Sequence, residues 1–145
     1  MISDLIAYID GACEPKNPGG HGTWAYLVLQ EGKEIARDCG YVPAGPAVSN
    51  NVMEYQALVQ LLTRWHVKKP FMKVLSDSQL VVKQINGVWK ARAGIYLADY
   101  QKAAELWTHT KGLVKIDWIR GVENLADKLT EEELNKHGIK RMVRR

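Results

Sequence analysis

From Leu5 to Tyr41 the pattern of apolar and polar positions has the period of two expected of half-buried strands. Leu5 to Ala12 alternates and carries Ile6, Tyr8 and Ile9, and Thr23 to Gln30 repeats that character. Glu31-Gly32 is a turn before Lys33 to Tyr41, so the spacing predicts three consecutive antiparallel strands. Between the first two lies Glu14-Pro15-Lys16-Asn17-Pro18-Gly19-Gly20, whose prolines and glycines forbid regular structure and predict a loop. The period then changes. Ser49 to Asn51 offers side-chain oxygens for a helix N-cap, and Met53, Ala57, Leu58, Leu61, Leu62 and Trp65 follow at spacings of three and four, an amphipathic helix that ends before Pro70.

Met72 to Ser76 is a short fourth strand, with Asp77-Ser78 capping a second helix whose Leu80, Val81 and Ile85 face inward until Asn86-Gly87 stops it. Tyr96 to His109 is a third helix with Ala103, Leu106 and Trp107 as core candidates. Lys115 to Ile119 alternates as a fifth strand, and Asn124 to Leu134 returns to helix, with a capping-box pattern at Thr130 to Glu133. Strands first, then helix and strand in alternation, predict an α/β fold. It is a five-stranded mixed sheet, three antiparallel strands then two parallel, with helices on both faces and right-handed crossovers.

No repeat or Ser/Pro-rich linker divides the chain, and 145 residues suit one core. The expected organisation is one domain over residues 1–135 and a basic tail over 136–145. Apolar residues at 46% and charged residues at 25% exclude a disordered or low-complexity chain. No run approaches the roughly 18 apolar residues of a spanning helix, and the start carries Asp4 and Asp10 where an export signal is basic and then apolar, so a cytoplasmic protein with no membrane partner is expected. Cys13 and Cys39 lack metal-ligand spacing and fall on the first and third strands, roughly 9 to 10 Å apart at about 4.8 Å per strand. That exceeds disulfide reach, so both are expected as small hydrophobes or plain thiols in a reduced setting.

The acids change the picture most. Asp10 falls near the end of the first strand, Glu54 in the first turn of the first helix, Asp77 where the fourth strand becomes a helix, and Asp127 just inside the last helix. With the first and fourth strands adjacent and parallel, Asp10 and Asp77 leave the same sheet edge, and Glu54 and Asp127 approach from the helices above and below. Taken singly, each has an ordinary reading: a helix cap for Asp77, a favourable first-turn charge for Glu54, a turn residue for Asp10. Clustered, they repel one another unless a cation neutralises them, which points to a hard divalent metal, Mg2+ first. Two such ions about 4 Å apart serve phosphodiester hydrolysis.

Four blocks carry a resemblance: Tyr8-Ile9-Asp10-Gly11-Ala12-Cys13 with Asn17-Pro18-Gly19-Gly20; Ser49-Asn50-Asn51-Val52-Met53-Glu54-Tyr55-Gln56-Ala57-Leu58; Ser76-Asp77-Ser78-Gln79-Leu80-Val81; and Trp118-Ile119-Arg120 with Asn124-Leu125-Ala126-Asp127. In this order, from about Leu5 to Leu134, the chain resembles type 1 ribonuclease H in a short archaeal-like or bacterial form. The resemblance implies the ribonuclease H-like fold and an endonuclease that hydrolyses the RNA strand of RNA/DNA hybrids with two Mg2+ ions, Mn2+ being an alternative, leaving 5'-phosphate and 3'-hydroxyl ends. Asp10, Glu54, Asp77 and Asp127 would then be the catalytic, metal-binding acids. Gly11 would let the backbone approach the RNA, and Glu54 and Gln79 would read 2'-hydroxyls with it from the shallow minor groove. Asn17 and Ser49 match a pocket for a DNA phosphate, with Asn50 and Asn51 reaching bases or sugars; capping of the helix is the alternative role for Ser49 to Asn51.

Two departures stand out. Many bacterial members carry a histidine ahead of the last acid, but Ile119 to Ala126 holds none; Arg120 occupies the stretch, and water, metal or Arg120 would serve instead. His21 in a loop, His66 and His109 near helix ends and His137 in the tail are read as noncatalytic. The basic helix that some members use to grip DNA is also missing. Trp89, Lys90 and Arg92 could form a reduced version, or Trp89 could pack on a helix end. With no added hybrid-binding module before the first strand, processivity is expected to be low.

The formal charge of +4 is concentrated. After Asn135 come Lys136, Lys140, Arg141, Arg144 and Arg145 with no acid, and residues 60–115 form a second basic segment. Both are expected to touch phosphates around an acidic centre. A noncatalytic nucleic-acid-binding domain and a related nuclease acting on double-stranded RNA or branched DNA are the competing readings. No leftover apolar stripe argues for assembly, so a monomer is expected.

Overall fold

The computed structural model describes residues 4–142. Three ten-residue strands, β1 (Leu5–Glu14), β2 (His21–Gln30) and β3 (Lys33–Val42), form an antiparallel meander. They are followed by α1 (Asn50–Trp65), β4 (Met72–Ser76), α2 (Gln79–Ile85), α3 (Leu97–Thr108), β5 (Val114–Trp118) and α4 (Asp127–Lys136). The sheet order is β3-β2-β1-β4-β5, with β4 parallel to β1 and β5 parallel to β4. The mixed sheet anticipated from periodicity is therefore the sheet observed.

Strand alternation divides the core. Leu5, Ala7 and Ile9 of β1 join Tyr26, Val28, Val74 and Ile116 beneath α1, whose Tyr55, Leu58, Leu61 and Leu62 are buried, and Ala103 of α3 completes this layer. On the other face Ala25 and Leu27 pack against Ala126 and Leu129 at the start of α4. Each fully buried Leu or Ile contributes about 1.5–3 kcal/mol, so most apolar stabilisation lies on the α1 side. Cys13 and Cys39 are free and sit on β1 and β3 with β2 between them, and burial pushes both thiols up.

Several local expectations are corrected. Asp10 is not at the end of its strand, because β1 runs on to Glu14 while β4 stops at Ser76, opposite Ile9. Glu54 lies beyond the first turn of α1. Asp77 does not cap α2; the Ser78 hydroxyl does, accepting from the Val81 N–H at 3.2 Å. Leu80 is only half-buried, and Val82 and Gln84 are buried with Val81. His21 opens β2 instead of lying in a loop.

The last helix starts at Asp127, not Asn124, because the Asn124 side chain is engaged elsewhere. Its Nδ2 donates to the Ile9 carbonyl at 2.8 Å and its Oδ1 accepts from the Ala126 N–H at 3.0 Å. Thr130 consequently lies inside the helix, and no capping box forms at Thr130 to Glu133.

Gly11 has a role in the packing. A Cβ there would stand 2.4 Å from the Glu54 nitrogen and 2.4 Å from the Met53 carbonyl carbon, so α1 can cross β1 this closely only over a glycine. Gly11→Ala should lower stability by about 1–3 kcal/mol through overpacking and push Glu54 away from Asp10, read as a reduced melting temperature together with weakened binding of divalent ion. Asn124→Ala should cost about 1–3 kcal/mol in a denaturant titration by leaving buried backbone groups without their side-chain partner.

Candidate active site

β1 and β4 run side by side until Ser76, after which only β1 continues, so the chain leaves Asp77 beside Asp10. The Ile119 N–H donates to the Ser76 carbonyl at 2.9 Å and the Trp118 indole N–H to the Asp77 carbonyl at 3.1 Å, which fixes the end of β4 from β5. α1, lying against Gly11, brings in Glu54. One carboxylate oxygen from each of Asp10, Glu54 and Asp77 lies within 4.8 Å of the other two. Asp10 is completely buried and Glu54 nearly so, while Asp77 is half-buried. Three hard, anionic oxygen donors at this separation, two of them out of solvent, fit a divalent ion of the Mg2+ class, which prefers carboxylate and water oxygen.

Asp127 is not one of those three. It begins α4, and its Oδ1 accepts from the Arg141 Nη1 at 2.5 Å. Arg141 Nη2 stands 3.9 Å from Asp10 Oδ2 and donates to the Thr130 hydroxyl at 2.8 Å. That hydroxyl lies 2.8 Å from both Asp10 Oδ2 and the Asp127 carbonyl, with a single proton to give to one of them. Thr130 and Arg141 thus tie the fourth acid to the first. Neither was apparent from sequence: Thr130 resembled a cap, and Arg141 looked like one more charge in a basic tail.

The candidate substrate residues form two groups. Ser49 is buried and caps α1 through Val52 N–H at 3.1 Å, as the capping alternative had it. The Asn17 side-chain oxygen accepts from the Asn50 N–H at 2.9 Å, joining the loop after β1 to the start of α1, where Asn51 is exposed. The second group lies on α2 and the segment that follows it. Gln79 is its exposed first residue, and Leu80, Gln84, Val88, Trp89, Lys90, Arg92 and Tyr96 line a groove of about 480 Å³. Gln84 supports that groove from below: its Oε1 accepts from the Tyr55 hydroxyl at 2.5 Å and its Nε2 donates to the Tyr96 hydroxyl at 3.1 Å. Trp89 remains 44% exposed, so it is available to a ligand and is not packed away on the helix end. Burial drives the Tyr55 phenol upward, keeping it a neutral donor.

Arg120 is exposed and donates through Nε to Glu123 at 2.9 Å, which holds the Glu123 carboxyl below its ordinary range. His21 bonds the Tyr41 hydroxyl through Nδ1 at 2.7 Å, His66 contacts the Leu62 carbonyl through Nδ1 at 2.6 Å, and His137 stacks on Tyr41. All three are engaged in structural contacts.

The fold has close counterparts. The N-terminal RNase H domain of a Mycobacterium tuberculosis protein superposes with a TM-score of 0.82 at 23% identity, over 95% of this chain and 97% of that one. LC11-RNase H1, in a crystal structure with RNA/DNA hybrid, superposes with a TM-score of 0.81 at 24% identity, over 92% of this chain and 99% of that one. In sequence, the Ribonuclease H of Cereibacter sphaeroides strain ATCC 17025 is 30% identical over 151 aligned positions, covering 95% of this chain and 96% of its own. That of Prosthecochloris aestuarii is 35% identical over 123 positions, covering 80% and 78%. The RNase H family model matches residues 3–135, a span that takes in all five strands, the four candidate acids and α4 as far as Asn135, and on that match the chain belongs to the ribonuclease H family.

Proposed function

We propose that this protein is an endonuclease that hydrolyses the RNA strand of RNA/DNA hybrids, using two Mg2+ ions, with Mn2+ able to substitute. The observation that carries this reading is the close approach of the Asp10, Glu54 and Asp77 carboxylates where β4 ends. Family membership and the hybrid bound to LC11-RNase H1 support the substrate class.

Asp10, Glu54, Asp77 and Asp127 would hold the ions, with Asp10 shared between them. Once bound, the ions supply Lewis acidity on both sides of the scissile phosphodiester. Attack of water on phosphorus then breaks the bond to the 3' oxygen, which leaves as hydroxyl and keeps phosphate on the 5' end. The chain's own contribution is placement. β1 and Gly11 set Asp10 against Glu54, Thr130 orients the Asp10 carboxylate, and Trp118 holds the Asp77 backbone.

Recognition would come from two sides. Gly11, Glu54 and Gln79 would read RNA 2'-hydroxyls, which DNA lacks. Asn17, Ser49, Asn50 and Asn51 would meet the DNA strand through its phosphate and its sugars or base edges at the start of α1. Trp89, Lys90 and Arg92 would follow the duplex backbone along the groove beyond α2. Arg120 would stand in for the missing loop histidine; its partner Glu123 is solvent-exposed, and exposed pairs are readily exchanged for a phosphate. We further propose that residues 1–135 act as one catalytic domain, monomeric and cytoplasmic. No helix among the described residues is long and apolar enough to cross a membrane.

The test is cleavage of end-labelled RNA/DNA, RNA/RNA and DNA/DNA duplexes, with Mg2+ or with chelator. The RNA strand of the hybrid should be cut, and only with metal; equal cutting of RNA/RNA would transfer the assignment to a double-stranded RNA nuclease. Asp10→Asn should lower the rate by about 100-fold or more, the scale of losing one group that stabilises transition-state charge, while its melting curve stays cooperative. Replacing Lys90 and Arg92 together by Ala should leave folding intact and reduce the slope of log affinity against log salt by about 1 to 2.

A further inference from the structure

The segment after α4 returns to the acids by a defined route. Gly138, at φ 74°, ends the helix with its N–H on the Asn135 carbonyl and the Ile139 N–H on the Leu134 carbonyl, each at 3.0 Å. This reversal carries residues 139–142 back across the end of β1. There the Met142 N–H donates to the buried Glu14 carboxylate at 3.0 Å, and the Arg141 guanidinium enters the site with only 2% of its side chain exposed. Arg37, Arg64 and Arg120, by contrast, each leave more than half the side chain in water. The expectation that the tail's charges face phosphate is thus corrected for Arg141. Its partners are Asp127, Thr130 and, at longer range, Asp10. Arg144 and Arg145 lie outside the described residues.

A buried guanidinium is stable only beside anions. Here the anions are the two acids that, on the reading above, share a divalent ion. An ion bound through Asp127 and Asp10 needs the carboxylate oxygens that now face Arg141, and would place like charge beside the guanidinium. We propose that Arg141 is a tethered counter-cation that divalent metal displaces from Asp127, so that loading this side of the site is coupled to release of residues 139–142. The segment suits such an exchange: Lys140 and Met142 are exposed, and past the Ile139 bond that closes the helix end it is anchored through the contacts of Arg141 and the Met142 to Glu14 bond. The coupling is reciprocal, so a docked tail weakens metal binding by the factor by which metal weakens docking.

This inference rests on Asp127 being a metal ligand, and the experiment separates the two. Mn2+ is titrated calorimetrically into the full chain without nucleic acid, and amide hydrogen exchange of residues 139–142 is followed with and without the ion. Arg141→Gln should bind Mn2+ about five-fold more tightly or better, and in the unmodified protein Mn2+ should accelerate exchange at the Met142 amide. If Arg141→Gln fails to fold by circular dichroism, Glu14→Ala, which removes the other anchor, should move affinity in the same direction. Equal Mn2+ affinity in all folded variants, or a Met142 amide that stays protected when metal binds, would overturn the exchange while leaving the metal site standing. No Mn2+ binding in any of them would remove the metal reading itself and the exchange with it.

Discussion

The unequal lengths of β1 and β4 set the rest of the architecture. A parallel partner ties the first half of β1 on one side, and that partner stops at Ser76 while β1 continues along β2 to Glu14. Backbone pairing within the sheet therefore ends on one edge just where Asp10 begins. In that gap the chain can set down Asp77, admit Glu54 across Gly11, and receive the turn that Asn124 pins to the Ile9 carbonyl. Had β4 run two residues further, the same edge would have been closed by ladder hydrogen bonds and apolar side chains.

Gathering carboxylates in such a gap costs stability, since Asp10 and Glu54 are withdrawn from water and all are repelled by one another. The folded chain answers with cationic and hydroxyl partners drawn from α4 and from beyond it. Thr130 and Arg141 connect Asp10 to Asp127, and an α-helix, a glycine reversal and the short run from Ile139 to Arg141 deliver that one guanidinium. The acidic centre and Arg141 are thus parts of one electrostatic arrangement, in contrast to the separate surfaces suggested by charge counting along the chain.

The parts of this arrangement that local pattern encodes were legible in the sequence. Strand alternation and helical periodicity yield all five strands and four helices, and the motif contexts of Asp10, Glu54, Asp77 and Asp127 single out those acids. What escaped depends on side chains satisfying distant backbone. Asn124 looks like the opening of a helix until its amide is found on Ile9; of the pair Asp77-Ser78 read as a cap, only Ser78 caps. Thr130 and Arg141 carry no periodic signal, because their partners lie 120 residues away at Asp10 in one case and across a left-handed turn in the other. Gly11 was legible as a special position, but the near neighbour that demands it is the backbone of α1.

The lopsided core has a consequence for how the acids are held together. α1 and α3 form a thick apolar layer over one face of the sheet, whereas α4 packs on the opposite face through Ala126, Leu129 and partners on β1, β2 and β3. Asp127 and Thr130 belong to that smaller face and Asp10, Glu54 and Asp77 to the sheet and its α1 side, so the spacing of the fourth acid from the other three depends on how two unequal layers pack on one sheet.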